Sequence, residues 1–260
     1  MRSKYAVRKG LPILLLALAA CLALGILSRP GASGISPLLT RTRPFTQYDT
    51  DLNSYVLQVL VSYEGGRYPY LLNQDYAHYN GVTRDLFYRG KVLLRANPDG
   101  SRSSHCVGAT FEAFFRAVEA RNRRLGLPAE YFNGLSWNEL YDFALTWFAA
   151  KGSKARSNCA AAIEQFGFGR RIYNPEEAKN GDFLDLTRTD GSGHTAVFFG
   201  WLRGAGGRII GLRYWSSQRA TGGIGYNAEY FRDNPRYERR RTLLRSPMYI
   251  GRVGPVRGYR

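Results

Sequence analysis

Cys106 and His194 are the two side chains of this sequence whose types and settings point to covalent chemistry. Cys106 heads a segment in which Val107, Phe111, Phe114, Phe115 and Val118 recur at helical spacing, with Glu112, Arg116, Glu119 and Arg123 opposite. The pattern predicts an amphipathic helix that begins near Ser104 and stops at Leu125-Gly126-Leu127-Pro128. The thiolate is the reactive form of cysteine, and a helix N-terminus, with its unpaired N–H groups and positive dipole end, favours that anion and lowers the thiol pKa. The same N–H groups can hold the oxyanion of a tetrahedral intermediate. His194 follows Asp190-Gly191-Ser192-Gly193 and opens a strand-like run from Gly193 to Leu202. An imidazole at a strand start is rigidly held yet projects from the sheet edge, and the glycines leave room for substrate. Thiol and imidazole together make a nucleophile for acyl transfer. A third polar group is expected to orient the ring.

The other reactive residue types are few. There are three cysteines, Cys21, Cys106 and Cys159, with no CxxC pair and no Cys/His cluster at zinc spacing. The expectation is therefore no metal and no organic cofactor. A Cys106–Cys159 disulfide is the competing reading of Cys106. Cys159 lies in an alanine-rich helical stretch and reads as a small buried apolar residue. His105 adjoins Cys106, and neighbours on a helix point apart, so it is a poor base; if charged, it would still lower the pKa of Cys106. His78 falls in a polar loop. Trp137, Trp147, Trp201 and Trp215 read as core, with Trp215 also a candidate to line a cleft for sugar or peptide. Arg239-Arg240-Arg241 reads as a solvated turn.

The elements that would position this pair change character along the chain. Asp51 to Val61 predicts a first helix. Lys91-Val92-Leu93-Leu94 predicts a short strand, and Asn97-Pro98-Asp99-Gly100 a turn. Ser136-Trp137-Asn138-Glu139 is a capping box that opens a helix after the one bearing Cys106. A further helix spans Ser157 to Phe166, and Asn174-Pro175 starts a single helical turn. Strands follow at Asp182 to Thr187, Gly193 to Leu202, Arg208 to Ser217 and Ser246 to Val253. Helices followed by consecutive strands predict an α+β domain, its helices on one face of a small, curved antiparallel sheet.

The N-terminus has the layout of an export signal: Arg2, Lys4, Arg8 and Lys9 precede an apolar run from Leu11 to Leu27. Three outcomes stay open. The run is retained as a membrane anchor through residues 11–27, or Cys21 in Leu18-Ala19-Ala20-Cys21 is lipidated, or the signal is removed. All three place the folded part in the cell envelope or outside the cell. Residues 29–44, rich in Pro, Gly, Ser and Arg, read as a tether, and 45–260 as one domain. The chain carries 37 basic against 20 acidic side chains. Such a field suits acidic partners, which for an exported protein are anionic wall polymers or lipid headgroups. Export and the lack of a recognition motif argue against nucleic acid.

Gly181-Asp182-Phe183-Leu184, followed by Gly193-His194-Thr195-Ala196-Val197-Phe198-Phe199-Gly200, resembles the histidine region of the NlpC/P60 superfamily of cell-wall hydrolases. Cys106 at its helix start resembles the nucleophile of that family. Gly66-Arg67-Tyr68-Pro69-Tyr70 resembles the upstream segment whose tyrosine lies near the active site. The resemblance implies a papain-like fold, Cys106 as nucleophile, His194 as base and Tyr70 as an oxyanion or substrate contact. His105-Cys106-Val107-Gly108 stands where the family usually has Asp-Cys-Ser-Gly. The third member lies, by the same resemblance, on the strand after the histidine strand. Alternation there puts Tyr214, Ser216 and Gln218 on one face and Trp215 and Ser217 on the other, and Ser216 or Gln218 is favoured because each can accept a hydrogen bond from the imidazole. The implied activity is hydrolysis of an amide or peptide bond, with peptidoglycan as substrate. Two alternatives differ in class: a non-catalytic wall-binding module on this fold, and an acyltransferase or amidase at the membrane surface.

Overall fold

The computed structural model describes residues 49–234 and 242–260. The expected signal (1–28), tether (29–44), lipidation site Cys21 and arginine run 239–241 lie outside the described residues. All of the described residues belong to one compact unit, Arg43–Arg260. None of their helices is long and apolar enough to cross a membrane.

Four α-helices lie among the described residues: α1 (Asn53–Val61), α2 (Cys106–Leu125), α3 (Trp137–Trp147) and α4 (Cys159–Gln165). Between the first two runs a hairpin, β1 (Leu86–Tyr88) and β2 (Lys91–Leu94). The chain then forms β3 (Gly169–Ile172), β4 (Phe183–Thr187), β5 (Gly193–Arg203), β6 (Ile209–Gln218), β7 (Gly223–Tyr230) and β8 (Tyr249–Val253). These six make one antiparallel sheet in the order β3-β8-β4-β5-β6-β7. The α+β expectation is met.

Strand alternation divides the apolar residues between two clusters. Phe183, Val197, Trp215 and Val253 turn to the helices and meet Phe111, Phe114, Phe143 and Trp147 in the main core. Their neighbours Leu184, Ala196, Tyr214 and Ile250 turn to the other face, where Phe231 and Leu243 join them. Because both faces are covered, β4 is buried along nearly its whole length. Helix ends follow local chemistry. Ser136 and Glu139 form the anticipated capping box of α3. Gly126, at φ 74°, closes α2 in the left-handed conformation that only glycine adopts without strain.

Asp182, singled out in the Gly-Asp pair, is a structural anchor. It is fully buried and accepts from Arg252 Nε (2.8 Å) and Nη2 (2.7 Å), from Asn53 Nδ2 (2.8 Å) and from the Lys179 N–H (2.8 Å). One carboxylate thus ties β8, α1 and the turn before β4 together. Strands β1, β3 and β7 were not anticipated. Despite Gly223 and Gly225, β7 pairs with β6 along its whole length, from Gly211↔Tyr230 to Gln218↔Gly223. Asn174-Pro175 opens only a 3-10 turn, Pro175–Glu177.

Candidate functional site

Helix α2 begins at Cys106, and His105 is its N-cap. The His105 Nδ1 accepts from the Gly108 N–H at 3.3 Å. The ring is buried, edge-on to Tyr79 and Phe148, and burial holds its pKa down at about 4. His105 is therefore neutral, lends no positive charge to Cys106, and acts as a cap rather than a base. Its acceptance of the Gly108 N–H leaves the Cys106 and Val107 N–H groups at the helix head without an intrahelical acceptor.

The helix head is held from outside by the loop before it. Gly81, at φ 77°, accepts from the His105 N–H through its carbonyl at 3.2 Å. A little further on, the Thr83 N–H and hydroxyl both donate to the buried Glu112 carboxylate, at 2.7 and 2.9 Å. A second segment, Tyr68 to Leu71, is laced to the residues preceding Cys106. The Ser104 N–H donates to the Pro69 carbonyl and the Leu71 N–H to the Ser104 carbonyl, each at 2.9 Å. Across the sheet, Ser104 Oγ donates to Ser217 Oγ at 2.8 Å, and Ser217 Oγ donates to the Ser104 carbonyl at 3.1 Å.

Between the Pro69–Leu72 segment and the β4–β5 turn opens a cleft of about 660 Å³. Cys106, His194, Gln218 and Tyr70, four of the six residues singled out from the sequence, line it, together with Arg188, Ser217 and Arg219. Ser216 and Trp215 do not. The Ser216 hydroxyl donates to the Thr195 carbonyl at 2.7 Å within the sheet. Trp215 is 2% exposed and packs in the main core against Tyr63, so it is no wall of the cleft. Alternation failed as a guide because the cleft lies off the strand end, where consecutive residues Ser217 and Gln218 both reach it.

Cys106 is partly exposed, and both it and Cys159 are free thiols. Burial pushes the Cys106 thiol above its ordinary pKa; the backbone N–H groups of Thr195 and Val107 and the Arg188 guanidinium pull it down, Asp185 pushes it up, and burial prevails. The lowered thiol expected from the helix start is thus not what the site holds, because desolvation of the thiolate outweighs the donors around it. His194, at the beginning of β5 and opposite Leu186, is 4% exposed, with its ring edge-on to Tyr214 at 5.2 Å.

Behind His194 lies a buried network that sequence reasoning missed. Arg188 donates to Glu229 through Nε (2.8 Å to Oε2) and also through Nη2. The Tyr214 hydroxyl donates to the same carboxylate. Burial works against the Arg188 charge, but Glu229 overcompensates and raises its pKa. Arg188 Nη2 also donates to Gln218 Oε1 at 3.1 Å. That contact fixes the Gln218 amide: its acceptor oxygen is engaged, and its buried Nε2 has no hydrogen-bond partner among the described residues. Gln218 Oε1, the acceptor expected for the imidazole, receives the Arg188 guanidinium. Nothing local marks Arg188 or Glu229 in the sequence; only the β6–β7 pairing and the β4–β5 turn bring them together.

On the helix-facing side, Lys154 Nζ donates to the Leu186 carbonyl (2.8 Å) and Thr187 Oγ1 (2.9 Å) and pairs with the buried Asp185 (2.8 Å), bracing the end of β4. No group of three or more metal-ligating side chains occurs among the described residues. Compared with family models, with curated proteins and with solved structures, the chain matches none.

Proposed function

We propose that the domain is a papain-like cysteine hydrolase of the cell envelope that cleaves an amide bond, with Cys106 as nucleophile, His194 as base and a peptidoglycan stem peptide as substrate class. The observation that carries this reading is that Cys106, at the head of α2, and His194, at the start of β5, line one cleft. The envelope assignment rests on the basic and apolar N-terminus and on the resemblance of the Gly181–Gly200 region to wall hydrolases.

Because burial disfavours the thiolate, proton removal is assigned to the reaction itself. As Cys106 Sγ forms its bond to the carbonyl carbon, the thiol proton passes to His194. The developing oxyanion takes N–H groups at the head of α2, with the Tyr70 side of the cleft beside it. Collapse breaks the C–N bond, and His194 returns the proton to the leaving amine. Water then attacks the thioester, giving its proton to His194, and releases the carboxylic acid and the thiol. Tyr214 packs on the imidazole, and the Arg188–Glu229 pair supports that wall from behind.

The test is turnover by the full-length protein of purified muropeptides, with products identified by mass. Cys106→Ala and His194→Ala are each expected to lower kcat/KM by about a thousandfold or more. Muropeptides left intact while another amide or a thioester is cleaved would overturn the substrate class. No turnover of any acyl compound, with wall affinity unchanged in Cys106→Ala, would put the wall-binding module in place of the enzyme.

A further inference from the structure

Among the described residues the walls of the cleft carry charge of one sign only: no aspartate or glutamate lines it, whereas Arg188 and Arg219 do. The two arginines differ in state. Arg188 is buried and neutralised by Glu229. Arg219 stands in the 3-10 turn Arg219–Thr221 just beyond β6, is exposed, and makes no side-chain hydrogen bond, ion pair or ring contact among the described residues. The carboxylate closest along the chain to the opposite wall, Asp190, receives the Ser192 N–H and hydroxyl at 3.0 and 2.6 Å, and Asp190 itself does not line the cleft. The turn that bears Arg219 is firmly placed. The Tyr70 N–H donates to the Gly222 carbonyl at 3.2 Å, and a Cβ on Gly223 would lie 1.8 Å from the Tyr68 carbonyl oxygen. The Pro69–Leu72 segment supplies the apolar contrast, with Leu72 62% exposed at the rim.

An unpaired guanidinium on a fixed turn, in a cleft with no carboxylate, favours an anionic ligand, and a planar carboxylate suits its two-pronged donor geometry. We propose that Arg219 is a specificity residue: it receives a carboxylate of the acyl donor whose carbonyl reaches Cys106, while the apolar part of that donor lies against Leu71 and Leu72. The inference rests on the hydrolase reading for the word donor, but the charge selection it states is independent of turnover.

Two alkylating reagents that differ in charge test it on the full-length chain: iodoacetate, which carries the carboxylate, and iodoacetamide, which does not. Rates are read by mass spectrometry at the peptide containing Cys106. A charge felt across a wet cleft of this size changes a local concentration by about fivefold. Arg219→Gln is expected to slow iodoacetate by about that factor and to leave iodoacetamide within twofold, Arg219→Lys to retain most of the preference, and 1 M salt to erase it. Any preference that a protonated His194 gives iodoacetate is the same in wild type and variants, so it cancels when their ratios are compared. An iodoacetate-to-iodoacetamide ratio that is the same in wild type and Arg219→Gln overturns the proposal, as does a Cys106 that neither reagent reaches. A protein that shows the charge preference but turns over no acyl compound loses the hydrolase reading and keeps the anion subsite.

Discussion

Gly108, in the first turn of α2, lies against the backbone of Gly81 so closely that a Cβ at position 108 would stand 2.2 Å from the Gly81 carbonyl carbon. The same loop touches the helix a second time. A Cβ on Gly81 would fall 2.2 Å from His105 Nε2. Helix head and loop thus meet on both sides of Cys106, backbone against backbone at Gly108 and backbone against the buried His105 ring at Gly81.

In a free helix, glycine to alanine stabilises by about 1 kcal/mol. Gly108→Ala is expected to do the reverse, costing about 2–3 kcal/mol in denaturant unfolding, because backbone must move to admit one methyl group. Alkylation of Cys106 should change as well. An exposed helical control, Asn138→Ala in α3, should leave both unchanged, and a Gly108→Ala protein as stable as its parent would show that helix and loop can part at no cost.

His105 ties stability to pH. Its folded-state pKa, held by burial at about 4, lies below the ordinary value of 6.5. A histidine lowered in this way binds its proton more readily when unfolded. Its contribution is therefore complete above about pH 6.5 and falls away as pH drops toward 4, by at most about 3 kcal/mol. Protonating Nδ1 also removes the acceptor for the Gly108 N–H. Unfolding measured from pH 7 to pH 4 should show this loss, and His105→Asn, whose amide oxygen can cap the same N–H, should flatten that part of the profile. A profile of the same steepness in His105→Asn would assign it to other groups.

Arg188 and Glu229 form a nearly buried pair, with side chains 5% and 10% exposed. Removing one partner strands a charge, so Glu229→Leu should cost about 3–5 kcal/mol. Arg188→Met together with Glu229→Leu should recover much of that loss. The pair also sets the Gln218 amide and holds the Tyr214 hydroxyl. Activity of the double variant should therefore stay well below that of the parent even where its stability returns. Full activity at restored stability would limit the network to a structural role.

The cleft shows where reading along the chain succeeds and where it stops. Cys106 and His194 were identifiable because each is marked by its own neighbours, an amphipathic period behind the one and a glycine-flanked strand start before the other. The Ser136–Glu139 capping box and the glycine stop of α2 are of the same kind, since capping is decided within four residues. By contrast, β7 carries no strand pattern, and it is strand because the open edge of β6 offers it a ladder. Arg188 and Glu229 read as ordinary surface charges until that ladder and the β4–β5 turn bury them against each other.

Local periodicity and capping chemistry therefore determined from sequence alone that this is an α+β domain with a cysteine at a helix head and a histidine at a strand start. Tertiary structure decided that the two face one cleft with Arg219, that His105 is a neutral cap, and that burial raises the Cys106 thiol. The physical reason is one of range. Hydrogen bonds of caps and turns close over a few residues and are written in their order, whereas desolvation and charge pairing depend on what other parts of the chain exclude water from the site.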